Sequence, residues 1–214
     1  MAADYDFTET DVYVLSYQTP VIRHASNIEQ IAQRVLQQLD DDGLLKYKRI
    51  YFITHSMGGL IVKRILNILQ SRPSRLEDLR RIRAVLLIST PSRGAPLADL
   101  AKWLSMNPQL KDMQPADCNT FLQGLEDDWF SMLRERNLAH QDYPQIFCAY
   151  ETLPTGPFVI VNSVYAATTC DNVPIAMDYN HVRIVKPPDA TADPYPWAKA
   201  RILEADRMSA TGKK

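Results

Sequence analysis

Apolar positions recur along this chain in two different periods, and the two alternate. From Ser26 onward, Ile28, Ile31, Ala32, Val35, Leu36 and Leu39 follow one another at three- and four-residue spacing, which predicts an amphipathic helix over 26–39. Ser26 and Glu29 have the spacing at which the two side chains satisfy each other's backbone N–H groups at a helix start. Asp40-Asp41-Asp42-Gly43 ends this helix. The triplet lacks the alternating ligand pattern and closing glutamate of a calcium loop, so it reads as a solvated turn. Between helices lie short runs that are apolar at nearly every position: Val12–Tyr17, Arg49–Thr54, Arg83–Ser89, Gln145–Tyr150, Pro174–Met177 and the brief Val159–Val161. Further helices are predicted over 60–69, 97–106, 119–137 and 195–206. Unbroken apolar runs belong to strands buried on both faces. The chain therefore reads as α/β, with a mostly parallel sheet flanked by helices.

With 214 residues, 46% of them hydrophobic, the chain can bury one domain's core without crosslinks. The reading is a single domain over 1–214, with loose ends at 1–10 and 207–214. Its 24 basic and 25 acidic residues leave a net charge of −1, which does not favour a nucleic-acid partner. Arg72, Arg75, Arg80, Arg81 and Arg83 are interleaved with Glu77 and Asp78, as expected of a solvated helix face. No stretch reaches the roughly 20 apolar residues of a membrane span, and the acidic N-terminus has no signal-peptide core. If residue 1 is the true start, an intracellular, cytoplasmic site is expected, with peripheral membrane contact left open. The three cysteines, Cys118, Cys148 and Cys170, form no CxxC pair. Their odd number suggests a reducing compartment, without a disulfide framework or a zinc site. No cofactor or metal is expected.

Ile53-Thr-His-Ser-Met-Gly-Gly59 joins a predicted strand to a predicted helix and carries the candidate chemistry. A serine hydroxyl is a weak nucleophile unless it is exposed beside a base, and a sharp strand-to-helix turn achieves that. Small residues are needed two positions either side of the serine. Gly58 meets that demand, whereas Thr54 crowds the turn more. The turn also aims the Met57 N–H, at the helix N-terminus, where it can stabilise an oxyanion. His55 adjoins Ser56, but neighbouring side chains diverge on such a turn, so it reads as structural.

Thr54–Gly59, Thr90-Pro-Ser-Arg-Gly94 and Asn180-His-Val-Arg-Ile-Val-Lys-Pro187, taken in order, resemble the α/β-hydrolases. The resemblance is to serine-active-site esterases and lipases related to GPI inositol-deacylases, and runs from about residue 11 to 188. It implies a chain order of serine, acid, histidine. Of the histidines, His24 precedes Ser56 and His140 falls before a strand, while His181 follows the last strand, where the family places its base. The family's acid follows the strand before that one, which points to Glu151. Related hydrolases often carry an aspartate slightly further on, where this chain has Gly156-Pro-Phe, and Asp171 is the reserve candidate. The implied activity is cofactor-free cleavage of carboxylic esters, probed by a lipid-like or other small-molecule substrate. Trp103, Leu104, Met106, Trp129 and Phe130 can be read as an acyl pocket or lid, or equally as core.

The chain departs from this pattern at its start. It enters one strand late, at Val12–Tyr17, and has no glycine before Gly43 to form the loop that donates a second oxyanion N–H. The expectation is that upstream residues complete the sheet or that self-association covers its edge. The alternative to an esterase is a weakly active or non-catalytic binding module on the same fold.

Overall fold

The computed structural model describes residues 4–15, 28–91, 115–139, 144–156 and 170–211. Four parallel strands form one sheet in sequence order: β1 (Ile50–His55), β2 (Ile82–Ile88), β3 (Gln145–Glu151) and β4 (Ile175–Met177). Among the described residues, five α-helices accompany them: α1 (Ile28–Asp41), α2 (Met57–Gln70), the short α3 (Leu76–Arg81), α4 (Pro115–Leu138) and α5 (Pro194–Thr211). This is the α/β architecture that the alternating periods predict.

The two central strands, β2 and β3, are buried on both faces because they are apolar on both. On one side, α1, α2 and α4 pack with Val85, Leu87, Ile146 and Cys148, and all six stripe residues of α1 are buried there. On the other, Ala198, Ile202 and Ala205 of α5 meet Ala84, Leu86 and Phe147. Ile82 lies on the α2 side with Val85 and Leu87 although its position is even. The register shifts there: Ile50 pairs with Ile82, but Tyr51 pairs with Ala84, leaving Arg83 as the extra residue of a bulge that flips the alternation.

Several expectations change. Residues 12–15 of the predicted first strand join no ladder, and Val12, Tyr13 and Val14 are exposed. Their β-prone composition is overruled by side-chain bonding: the Tyr13 hydroxyl donates to Asp42 and accepts from Gln38. Residues 4–10 are not loose, since Phe7 is buried against α5 and Asp4 accepts from Lys199 and Tyr195. The last helix continues past its predicted end to Thr211. Cys148 and Cys170 form a disulfide, contrary to the reading of unpaired thiols, because residue 170 lies beside β3, where the Asp171 N–H donates to the Ile146 carbonyl. The predicted helix at 97–106, the strand at 159–161 and the residues Ser26, His24, His140, Trp103, Leu104 and Met106 lie outside the described residues. Trp129 is wholly buried in the core against Lys63 of α2 rather than lining an opening.

The Asp triplet is used in turn and helix contacts: Asp40 pairs with Arg75, Asp41 accepts from Gln37, and Gly43 takes the positive φ of 70° that the turn requires. Arg75 and Arg81 of the basic cluster engage Asp78, and Arg80 reaches Glu77. Among the described residues, no group of three or more His, Cys, Asp or Glu could hold a metal ion, and no helix is long and apolar enough to cross a membrane.

Candidate active site

In parallel α/β sheets, side chains placed just beyond the C-terminal strand ends converge on one edge. Here Ser56 follows β1, Glu151 ends β3, and His181 lies shortly after β4. The β1 ladder continues one residue past the strand through Ser56 N–H to the Ile88 carbonyl, at 3.0 Å. At Ser56 the backbone then turns sharply to φ 51°, ψ −125°, and α2 begins at Met57. A non-glycine residue held at positive φ costs about 1–3 kcal/mol, which the surrounding packing must over-determine.

Two contacts fix that turn. The Thr54 hydroxyl donates to the Leu86 carbonyl at 2.9 Å, so the residue that crowds the turn is accommodated by bonding the neighbouring strand. A Cβ on Gly59 would come within 2.0 Å of Thr90 Oγ1 and 2.8 Å of its Cβ, so the first turn of α2 can approach the end of β2 only with glycine there. Ser89 repeats the geometry of Ser56 at the end of β2. Its N–H extends the ladder to Ala149, its φ is 47°, and it is fully buried.

The three side chains named from chain order meet. His181 Nε2 lies 2.9 Å from Ser56 Oγ, and His181 Nδ1 lies 3.2 Å from Glu151 Oε1. With the Nδ1 proton directed at the carboxylate, Nε2 is free to accept from the serine hydroxyl. Burial pushes the Glu151 carboxyl up, but hydrogen bonds from His181 and then Ser89 outweigh it, so the group is held below its ordinary value and stays ionised. All three residues are buried, Ser56 included at 6% exposure, whereas the sequence reading expects an exposed hydroxyl. The His181 ring is seated against that hydroxyl.

Asp171 is elsewhere. It accepts from Ile146 N–H at the start of β3 and forms a two-pronged ion pair with Arg136, which also donates to the Pro144 carbonyl. It lies at the opposite end of the strand from Glu151, with its oxygens already committed. Met57, the first residue of α2, presents its N–H at the helix N-terminus beside Ser56. His55, read as structural, turns out to touch the site: its Nε2 donates to the His181 carbonyl at 2.8 Å. Thr155, whose hydroxyl accepts from the His181 N–H at 2.9 Å, and Ser89 carry no signal in the sequence, because a single hydroxyl fits no spacing rule.

Residues 2–95 match the family described as "Putative serine esterase (DUF676)", a segment that includes Ser56 and ends before Glu151 and His181. Protein SERAC1 of Homo sapiens is 28% identical over 165 residues, covering 73% of this chain and 24% of its own length. Protein SERAC1 of Danio rerio is 23% identical over 175 residues, covering 78% of this chain and 25% of its own. The chain thus aligns with about a quarter of the length of these relatives. The chain is thus similar to that serine esterase family over residues 2–95, and its described strands form an all-parallel sheet flanked by helices.

Proposed function

We propose that this chain hydrolyses carboxylic esters through an acyl-enzyme on Ser56. The observation that carries the reading is the unbroken line of contacts from Ser56 through His181 to Glu151 at one sheet edge. Ser56 Oγ attacks the ester carbonyl carbon while His181 Nε2 accepts the hydroxyl proton. The imidazolium, stabilised by Glu151, passes that proton to the departing alkoxide. Water then attacks the acyl-serine, His181 again taking the proton, and the acid leaves as Ser56 is restored. The Met57 N–H stabilises the tetrahedral oxyanion, a contribution typically worth ~10²–10³ in rate per donor.

An apolar acyl group is the proposed substrate class. Leu153, two residues beyond Glu151, and Val182, next to His181, keep 48% and 41% of their surface exposed at this edge. Ser56→Ala and His181→Ala should each abolish turnover of p-nitrophenyl esters, and the double variant should be little worse than either single one, because the residues act as a unit. A fluorophosphonate should label Ser56 in the wild type and not after His181→Ala. Failure to label any serine in a folded sample would reject the hydrolase in favour of a binding module.

A further inference from the structure

His181 sits in an irregular segment after β4, so no helix or strand ladder holds its backbone. Yet each of its four polar groups has a partner. Besides the two ring contacts, its N–H donates to Thr155 Oγ1 at 2.9 Å and its carbonyl accepts from His55 Nε2 at 2.8 Å. The partners form two pairs close in sequence: His55 with Ser56 at the end of β1, and Glu151 with Thr155 at the end of β3. Each pair grips the ring once and the backbone once.

A carbonyl brings no proton to a hydrogen bond, so the His55 nitrogen facing it must carry one, leaving Nδ1 bare in the neutral ring. Burial, and next the adjoining His181, push the His55 pKa down to about 4 despite the opposing hydrogen bond and the Glu151 charge; Lys186 adds to the lowering. His55 is therefore uncharged at neutral pH. Its ring lies against that of His181, with centroids 4.6 Å apart and planes tilted by 46°.

We propose that His55 and Thr155 are positioning residues that fix the main chain of His181, so that its imidazole stays between Ser56 and Glu151 throughout acyl transfer. The inference rests on the proposed role of His181 as base. A base on an irregular segment can drift although its ring contacts are intact, and a 1 Å misplacement can cost about 10² in rate. A neutral His55 also adds no second positive charge when the neighbouring ring takes the serine proton.

Paired variants test this. His55→Phe keeps a ring without the donor, whereas His55→Gln keeps a donor at the same reach; Thr155→Val and Thr155→Ser do the same for the acceptor. His55→Phe and Thr155→Val should lower kcat by about tenfold to a hundredfold with KM little changed, and the Gln and Ser variants should recover most of the loss. Wild-type kcat in the Phe and Val variants, or a Gln variant no better than Phe, would overturn the proposal. NMR supplies a readout that needs no turnover. His55 should carry its proton on Nε2 and not titrate until the pH approaches about 4, and Thr155→Val should speed hydrogen exchange at the His181 amide. The other tautomer, or unchanged exchange, would overturn it equally. Both NMR results together with a wild type that turns over no ester would reject the hydrolase reading while supporting the backbone clamp.

Discussion

Glu151 and Asp171 flank the same strand segment and differ in what they are bonded to, so their variants should fail differently. Glu151→Gln keeps the shape but loses the charge facing His181, and kcat should fall by ~10² or more with KM nearly unchanged. Asp171→Asn weakens the Arg136 pair and should cost about 2 kcal/mol of stability without a comparable loss of kcat in folded protein. The reverse result would move the acid to Asp171. His55 makes a separate prediction about pH. Its folded pKa, about 4, lies below its ordinary 6.5, so the unfolded chain binds the extra proton first. That contribution to stability is complete above pH 6.5 and is lost as the pH falls from 6.5 towards 4. The lowered carboxyl of Glu151 acts below that, its contribution fading as the pH drops under the usual 4.5. Urea titrations at several pH values should show the upper part of the slope vanish in His55→Phe. At this scale the sequence was legible where the turn around Ser56 and the order implied by the family resemblance pointed to Glu151 and His181. It gave His55 only as structural and was silent on Thr155, because their contacts depend on where a backbone passes in space.

Helix α2 links the site to the rest of the molecule through an ion pair with no exposure on either side. Lys63 Nζ lies 2.6 Å from Glu126 of α4, with the Trp129 ring 5.4 Å from the ammonium. Burial, opposed by the charge of Glu126 and its hydrogen bond, lowers the Lys63 pKa. Removing one partner strands the other charge, so Lys63→Met or Glu126→Leu alone should cost about 3–5 kcal/mol, while the double variant should recover most of the loss. Denaturant midpoints of the four proteins decide this, and equal losses in single and double variants would mean that the pair is not coupled. Arg64 on the same helix reaches Glu29 of α1 and Asp128 of α4, so α2 is tied on two sides. The periodic pattern revealed α1, α2 and the two-sided strands because burial there repeats. It could not reveal α3, whose only buried residue is Leu79, nor the bulge at Arg83. It misread Val12–Leu15, where tyrosines bond acidic residues across the surface instead of pairing in a sheet.

Across the whole molecule, the Cys148–Cys170 bond ties the middle of β3 to the segment leading into β4, over a separation of 22 residues. A loop of that size constrains the unfolded chain by about 3 kcal/mol, so Cys170→Ser should lower the denaturant midpoint and added reductant should then change nothing further. Equal stability with and without reductant in the wild type would show that the bond contributes nothing. An odd number of cysteines gave no hint of this pairing, which depends on the three-dimensional return of the chain. That return also sets a temporal order. The sheet pairs only parallel strands, each reached by a crossover, and the Ser56–His181 contact joins residues 125 apart. Contacts of such long sequence range form late, after local helices. If the proposed function holds, the Ser56 hydroxyl should therefore be a clock for the last step of folding. On dilution from denaturant, helical ellipticity should recover first, and fluorophosphonate capture of Ser56 should lag behind it, counting only finished molecules. Simultaneous recovery would mean that sheet and helices condense in a single step.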